Sequence, residues 1–169
     1  MTASIISIVG PSGVGKTTLI EGLIGQLVRN GYRVATVKHA HHGCDFDVEG
    51  KDTWRHKEAG AHTVIAVSGA RLALFADIDA GIRMEALRDR FLDSSYDLIL
   101  VEGFKSADYP KIVLVRDHLG EVVVSPENVI AVVTRQPVVT NAQTFHPTEV
   151  EAISQLIQER YPRSSSPGS

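Results

Sequence analysis

Eight residues, Gly10-Pro11-Ser12-Gly13-Val14-Gly15-Lys16-Thr17, divide a β-branched run from a stretch of helical periodicity. They constrain the fold more than any other part of the chain, because they match G-x-x-x-x-G-K-[ST] in full. Before them, Ser4-Ile5-Ile6-Ser7-Ile8-Val9 reads as a buried strand stopped by Gly10 and Pro11. After them, Leu19, Ile20, Leu23, Ile24, Leu27 and Val28 fall at helical spacing between Lys16 and Asn30, with Gly31 as the C-terminal cap. Strand, loop and helix in this order are the context the motif requires. The glycines let the backbone curl until successive N–H groups face phosphate oxygens, and the helix N-terminus adds its positive dipole end. Lys16 is then placed to bridge the β- and γ-phosphates, and the Thr17 hydroxyl to ligate Mg²⁺. Gly10, Ser12, Gly13, Val14, Gly15, Lys16 and Thr17 are the candidate phosphate-binding residues. Some ATPases with this loop carry a second lysine early in it; Pro11 and Ser12 stand there instead.

The same alternation of periods continues. Arg33 to Val37 reads as a second strand, which makes the opening a parallel strand–helix–strand crossover. A polar loop from His39 to Gly50 leads into a helix around Asp52 to Ala59. Thr63 to Val67 and Arg71 to Phe75 form an antiparallel hairpin through Ser68-Gly69-Ala70. A helix over Met84 to Phe91 precedes Tyr96 to Val101, the clearest buried strand. Lys111 to Val115 and Val129 to Val133 are further strands, and Thr148 to Arg160 is a last amphipathic helix. The expected fold is a three-layer α/β domain of the P-loop NTPase type. Its mainly parallel sheet carries helices on both faces, and the hairpin is an addition. A chain of 169 residues holds one such domain, residues 1–161, and residues 162–169 read as a disordered polar tail.

Composition excludes several classes. Hydrophobic residues at 43% and charged residues at 22% suit a globule with a closed core. No apolar run approaches the ~20 residues that span a bilayer, and the N-terminus has no basic segment of a signal peptide. A single cysteine, Cys44, rules out an intrachain disulfide and suits a reducing, cytoplasmic setting. Seventeen basic against twenty acidic residues, a net charge of −3, argues against a general nucleic-acid binder.

Two further groups fall at the expected ligand edge of the sheet. In Asp97-Leu98-Ile99-Leu100-Val101-Glu102-Gly103 the apolar run ends at Glu102, which is the candidate Mg²⁺ carboxylate and, with Lys16, a candidate catalytic residue. Asp97 lies at the opposite end of that strand. Gly103 offers an N–H to a γ-phosphate. The second strand ends in Lys38-His39-Ala40-His41-His42-Gly43-Cys44-Asp45-Phe46-Asp47. This stretch admits a transition-metal site, a nucleotide- or anion-contacting loop, or a plain solvated loop. The spacing matches no structural zinc signature, and nucleotide contact is favoured. Strand alternation places Lys38 and His39 on opposite faces.

These residues, with Gly50-Lys51-Asp52, Ala59-Gly60-Ala61 and Val101-Glu102-Gly103-Phe104-Lys105 in order, resemble the MobB family of molybdopterin-guanine dinucleotide biosynthesis adapter proteins. The resemblance covers roughly residues 4–160. It implies a homodimeric, cytoplasmic GTP-binding protein with weak Mg²⁺-dependent GTPase activity and no nucleic-acid or membrane partner. It also implies service to a molybdenum cofactor guanylyltransferase and to molybdopterin-bound proteins. Carried over by position, Gly13 to Thr18 hold phosphates and Mg²⁺, and Glu102 and Gly103 serve the γ-phosphate side. Lys38, His39, His42, Asp45, Asp47 and Lys51 belong to the nucleotide-responsive loop, and Arg71 contacts anion or partner.

One position departs from the pattern. Guanine is usually selected by the aspartate of an Asn/Thr-Lys-x-Asp motif, and none is present. After the strand Val129 to Val133, where an acidic residue is often found, the chain reads Thr134-Arg135-Gln136-Pro137. Arg135 carries donors only and cannot accept from guanine N1–H or its 2-amino group, which leaves backbone carbonyls as readers. Two other functions stay open on the sequence: a small-molecule kinase on the same loop, and a metal carrier built on His39 to Asp47. No arginine-rich lid of a kinase is visible, and no water-activating glutamine or arginine finger stands out, so slow turnover is expected.

Overall fold

The run Ser4–Val9 becomes β1, and its burial follows from strands pairing along both of its edges. The computed structural model describes residues 2–40, 46–79, 81–92, 94–116 and 128–163. The elements are β1, α1 (Lys16–Arg29), β2 (Val34–Lys38), α2 (Asp52–Glu58), β3 (Thr63–Ser68), β4 (Arg71–Ala76), α3 (Met84–Phe91), β5 (Leu98–Glu102), β6 (Lys111–Leu114), β7 (Val129–Val133), β8 (Gln143–Phe145) and α4 (Val150–Arg160). They divide into two compact units, Met1–His39 with Leu92–Ser169, and Ala40–Phe91.

In the first unit six parallel strands run in the order β2-β5-β1-β6-β7-β8. The chain leaves β1 toward β2 on one side and reaches β6 on the other. The C-terminal end of β1 is therefore the switch point at which such sheets bind ligands. Ile6 and Ile8 of β1, Leu98 and Leu100 of β5, and Ile112 and Leu114 of β6 share one face. They form a core with Leu19, Leu23 and Leu27 of α1 and Ile153 and Ile157 of α4. The residues between them, including Ile5, Val9, Ile99, Val101 and Val113, are buried as well. Burial on both faces explains why these strands read as continuous apolar runs rather than alternating ones.

The far ends of the two helices are tied together. The Tyr32 hydroxyl donates to the Tyr161 carbonyl at 2.9 Å, and Arg163 donates to the Asn30 carbonyl at 3.1 Å. Burial, and then the charge of Asp97, pushes the Tyr32 phenol above its usual range.

Some boundaries differ from the sequence expectation. β2 starts one residue later because Arg33 is held outside the ladder: its N–H donates to Asp97 Oδ2 at 2.8 Å and its carbonyl accepts from Asp97 N at 2.9 Å. β5 begins at Leu98 and includes Glu102 as its last residue. α4 begins at Val150 rather than Thr148, since the His146 N–H donates to Glu149 Oε2 at 2.5 Å and the two residues close a turn. β8 was not expected. Residues 164–169 of the tail lie outside the described residues.

In the second unit, β3 and β4 pair antiparallel, with Val64 opposite Phe75 and Ser68 opposite Arg71, and α2 packs on β3. Lys57 of α2 donates to the Ala61 and His62 carbonyls at 2.8 and 3.2 Å and to Asp77 Oδ2 at 2.7 Å. That hydrogen bond holds the Asp77 carboxyl below the usual carboxylate range. Among the described residues no helix is long and apolar enough to cross a membrane.

Candidate functional site

The loop between β1 and α1 takes its shape from close packing at its start. A β-carbon on Gly10 would lie 2.6 Å from the Leu114 carbonyl oxygen and 3.2 Å from Val14 Cγ1. Val14 itself turns back and packs against the core. α1 starts from Gly15 with no side-chain cap, so the first N–H groups of the helix are left for an anion. Lys16 folds across the loop, its ammonium donating to the Gly10 and Pro11 carbonyls at 3.1 and 2.9 Å. Those carbonyls satisfy the charge locally and hold it over the loop.

Thr17 and Glu102 come together. The Thr17 hydroxyl donates to Glu102 Oε2 at 3.4 Å, bridging the first turn of α1 and the end of β5 across 85 residues of sequence. This juxtaposition joins the two residues that the sequence offers to Mg²⁺. Two hard oxygen donors suit that ion, which binds through one or two carboxylate or hydroxyl groups and substrate phosphates. Lys38 is the register partner of Glu102 on the neighbouring strand, so both stand at the same level of the sheet edge.

His39 follows Lys38 and donates its N–H to the Glu102 carbonyl at 2.9 Å. Its ring meets Phe104 with centroids 4.3 Å apart. The Gly103 N–H, expected to serve a γ-phosphate, donates to the Ile8 carbonyl at 3.1 Å in this structure. A side chain there would crowd its neighbour, since a β-carbon on Gly103 would lie 3.2 Å from His39 Cβ, and the φ of +106° favours glycine. Asp97 sits at the other end of β5, accepting from the Arg33 N–H.

The other loop residues belong to the second unit. Asp47 Oδ1 accepts from the Val48 N–H at 2.8 Å and from the Thr53 hydroxyl at 3.0 Å, which fixes the entry to α2. Asp47 Oδ2 is buried without a hydrogen-bond partner among the described residues. Lys51 is the exposed residue preceding α2, and Arg71 opens β4 in an exposed position. His42 and Asp45, with His41 and Cys44, lie outside the described residues. Among the described residues no group of three or more His, Cys, Asp or Glu is placed to hold a metal. The same unit contains a hollow of about 1060 Å³ lined by Trp54, Lys57, Phe75 and Asp77.

The sequence reading missed Arg116, just beyond β6, whose guanidinium donates to the Ser12 carbonyl and braces the phosphate loop. No local signal marks it, because its role depends on β6 lying next to β1. Arg116 also lines a cleft of about 370 Å³, together with Gly13, Thr18, Val133, Arg135 and Pro147.

Comparisons with known proteins agree with this architecture. The family model for "Molybdopterin guanine dinucleotide synthesis protein B" (MobB) matches residues 5–135. The molybdopterin-guanine dinucleotide biosynthesis adapter protein of Haemophilus influenzae is 37% identical over 155 residues, 91% of this chain and 87% of the relative. That of Escherichia coli is 38% identical over 153 residues, 88% and 87% of the two chains. A crystal structure of molybdopterin-guanine biosynthesis protein B superposes with a TM-score of 0.73 at 32% identity, covering 93% of this chain and 98% of the other. Bacillus subtilis MobB gives a TM-score of 0.71 at 27% identity, covering 96% and 99%. With its phosphate loop at the switch point and most of its length matched by the family model, this chain belongs to the MobB family.

Proposed function

We propose that this chain is a GTP-binding adapter in molybdopterin guanine dinucleotide synthesis, with weak Mg²⁺-dependent GTPase activity. Family membership and the roles of its relatives support the pathway. The observation that carries the nucleotide reading is the Thr17–Glu102 contact beside the Lys16 ammonium. The partners in this reading are a molybdenum cofactor guanylyltransferase and molybdopterin-bound proteins.

On binding, the Lys16 ammonium exchanges its two carbonyl partners for phosphate oxygens, and the uncapped N-terminus of α1 supplies further N–H groups. Thr17 and Glu102 would hold Mg²⁺, which supplies charge neutralisation on the phosphates. Positioned positive charge of this kind stabilises a γ-phosphoryl group in flight without a strong general base, which suits slow hydrolysis. Titration with a fluorescent GTP analogue, with and without Mg²⁺, tests the reading; absence of Mg²⁺-dependent binding overturns it. Glu102→Gln should weaken the Mg²⁺-dependent affinity by about tenfold and leave binding in EDTA nearly unchanged. Equal Mg²⁺ dependence in the variant would remove Glu102 from the site.

The homodimer in this proposal rests on the hairpin. Ile65 and Leu74 are register partners, as are Val67 and Leu72, so the four side chains share one face. They are 55%, 40%, 71% and 65% exposed. A two-stranded sheet is marginal alone, and an aliphatic face of this kind normally marks an interface. A second copy of this uncharged face is its occupant. Val67→Lys with Leu72→Lys should convert a dimer to a monomer in sedimentation equilibrium; a monomeric wild-type chain at tens of micromolar would refute the assignment.

A further inference from the structure

The cleft beside the phosphate loop has an unusual set of polar walls for a guanine site. It is formed by the ends of β6 and β7, the first turn of α1 and the approach to α4, all within the first unit. Its volume of about 370 Å³ is in the range of small-ligand sites. Leu114, Val133, Pro147 and Val150 supply its apolar surface. Among the described residues its charged lining is Arg116 and Arg135, and no carboxylate or side-chain amide lines it. Among the described residues a purine seated there meets side-chain donors in excess, and Thr18 is the only lining side chain that can accept.

The two guanidinium groups are not equivalent. Arg116 is committed to the Ser12 carbonyl and so to the loop itself. Arg135 follows Thr134, whose hydroxyl accepts from the Gln136 N–H at 3.1 Å and donates to the Gln136 carbonyl at 2.9 Å. That closed turn presents Arg135 on an exposed position at the rim of the cleft. A guanidinium fork matches two neighbouring acceptors. Guanine presents them as O6 and N7, whereas adenine places an N6 donor beside N7.

We propose that Arg135 selects six-oxo purines by donating to O6 and N7, and that the 2-amino group of guanine is not read. The proposal rests on the nucleotide-binding function above and adds the edge by which the base is chosen. Specificity then comes from the edge opposite to the one an aspartate would use, and adenine is rejected because its amino group faces a donor.

Competition against a fluorescent GTP analogue in Mg²⁺ tests this with GTP, ITP, 7-deaza-GTP and ATP. ITP, which lacks the 2-amino group, should match GTP within about twofold. ATP and 7-deaza-GTP should each bind about tenfold more weakly. Arg135→Ala should bring GTP down to the level of ATP, with Arg135→Lys between the two. ITP binding tenfold more weakly than GTP would show that an acceptor reads the 2-amino group, and would overturn the proposal while leaving GTP binding intact. Equal affinity for GTP and ATP, meaning that Arg135 only stacks on the ring, would overturn it too. So would an equal loss for every nucleotide in Arg135→Ala, which would place the guanidinium on phosphate. Absence of binding by any of the four in the wild-type chain is a different result, because it removes the nucleotide-binding function itself.

Discussion

Lys16→Ala is expected to lose nucleotide binding almost completely, by roughly a hundredfold or about 3 kcal/mol. The ammonium is drawn over the loop by contacts from within it, at 3.1 and 2.9 Å from the Gly10 and Pro11 carbonyls. Without it those two carbonyls face the incoming phosphates, so an attraction is replaced by a repulsion between acceptors. The loop backbone should survive, since β1 and α1 are held by the core they share. Circular dichroism of the variant should match the wild type while calorimetric titration with GTP and Mg²⁺ shows no heat of binding. An affinity within threefold of the wild type would disprove the phosphate role of Lys16.

The second large effect concerns stability. In Gly10→Ala the new methyl group would meet the Leu114 carbonyl oxygen at 2.6 Å and Leu114 Cβ at 3.2 Å. Leu114 is the last residue of β6, which pairs with β1 through Val9 and Val113. The clash is with backbone, and a backbone atom cannot step aside without opening that pairing. A cost of about 3 kcal/mol is expected, lowering Tm by roughly 10 °C in a chain of this size. Thermal unfolding followed by circular dichroism reads it, and an unchanged Tm would mean that the strand ends tolerate separation.

Much of this could be read from the residues because local signals agreed with one another. A complete phosphate loop lay between a β-branched run and a stretch of helical periodicity, and Glu102 ended the clearest buried strand. The hairpin was visible in two short runs around Ser68-Gly69-Ala70. Strand order was not visible: nothing local says that β5 inserts between β1 and β2, because that choice is made by long-range packing. β8 escaped notice because Gln143-Thr144-Phe145 is short and mostly polar. It is a strand because β7 offers a free edge, from Ala131 to Val133, a case of context deciding where propensity is silent. Arg116 escaped because its task is a bond to a loop carbonyl 104 residues away.

The bonds at the far ends of α1 and α4 carry a final consequence. At its start α1 is held by Thr17 against Glu102, and at its finish by Tyr32 and Asn30 against Tyr161 and Arg163. A rod pinned at both ends transmits little travel. In the proposed nucleotide-binding function, arrival or hydrolysis of a nucleotide would therefore be announced along the sheet edge, where Lys38, His39 and Glu102 adjoin one another, with α1 as the fixed frame against which that movement is measured.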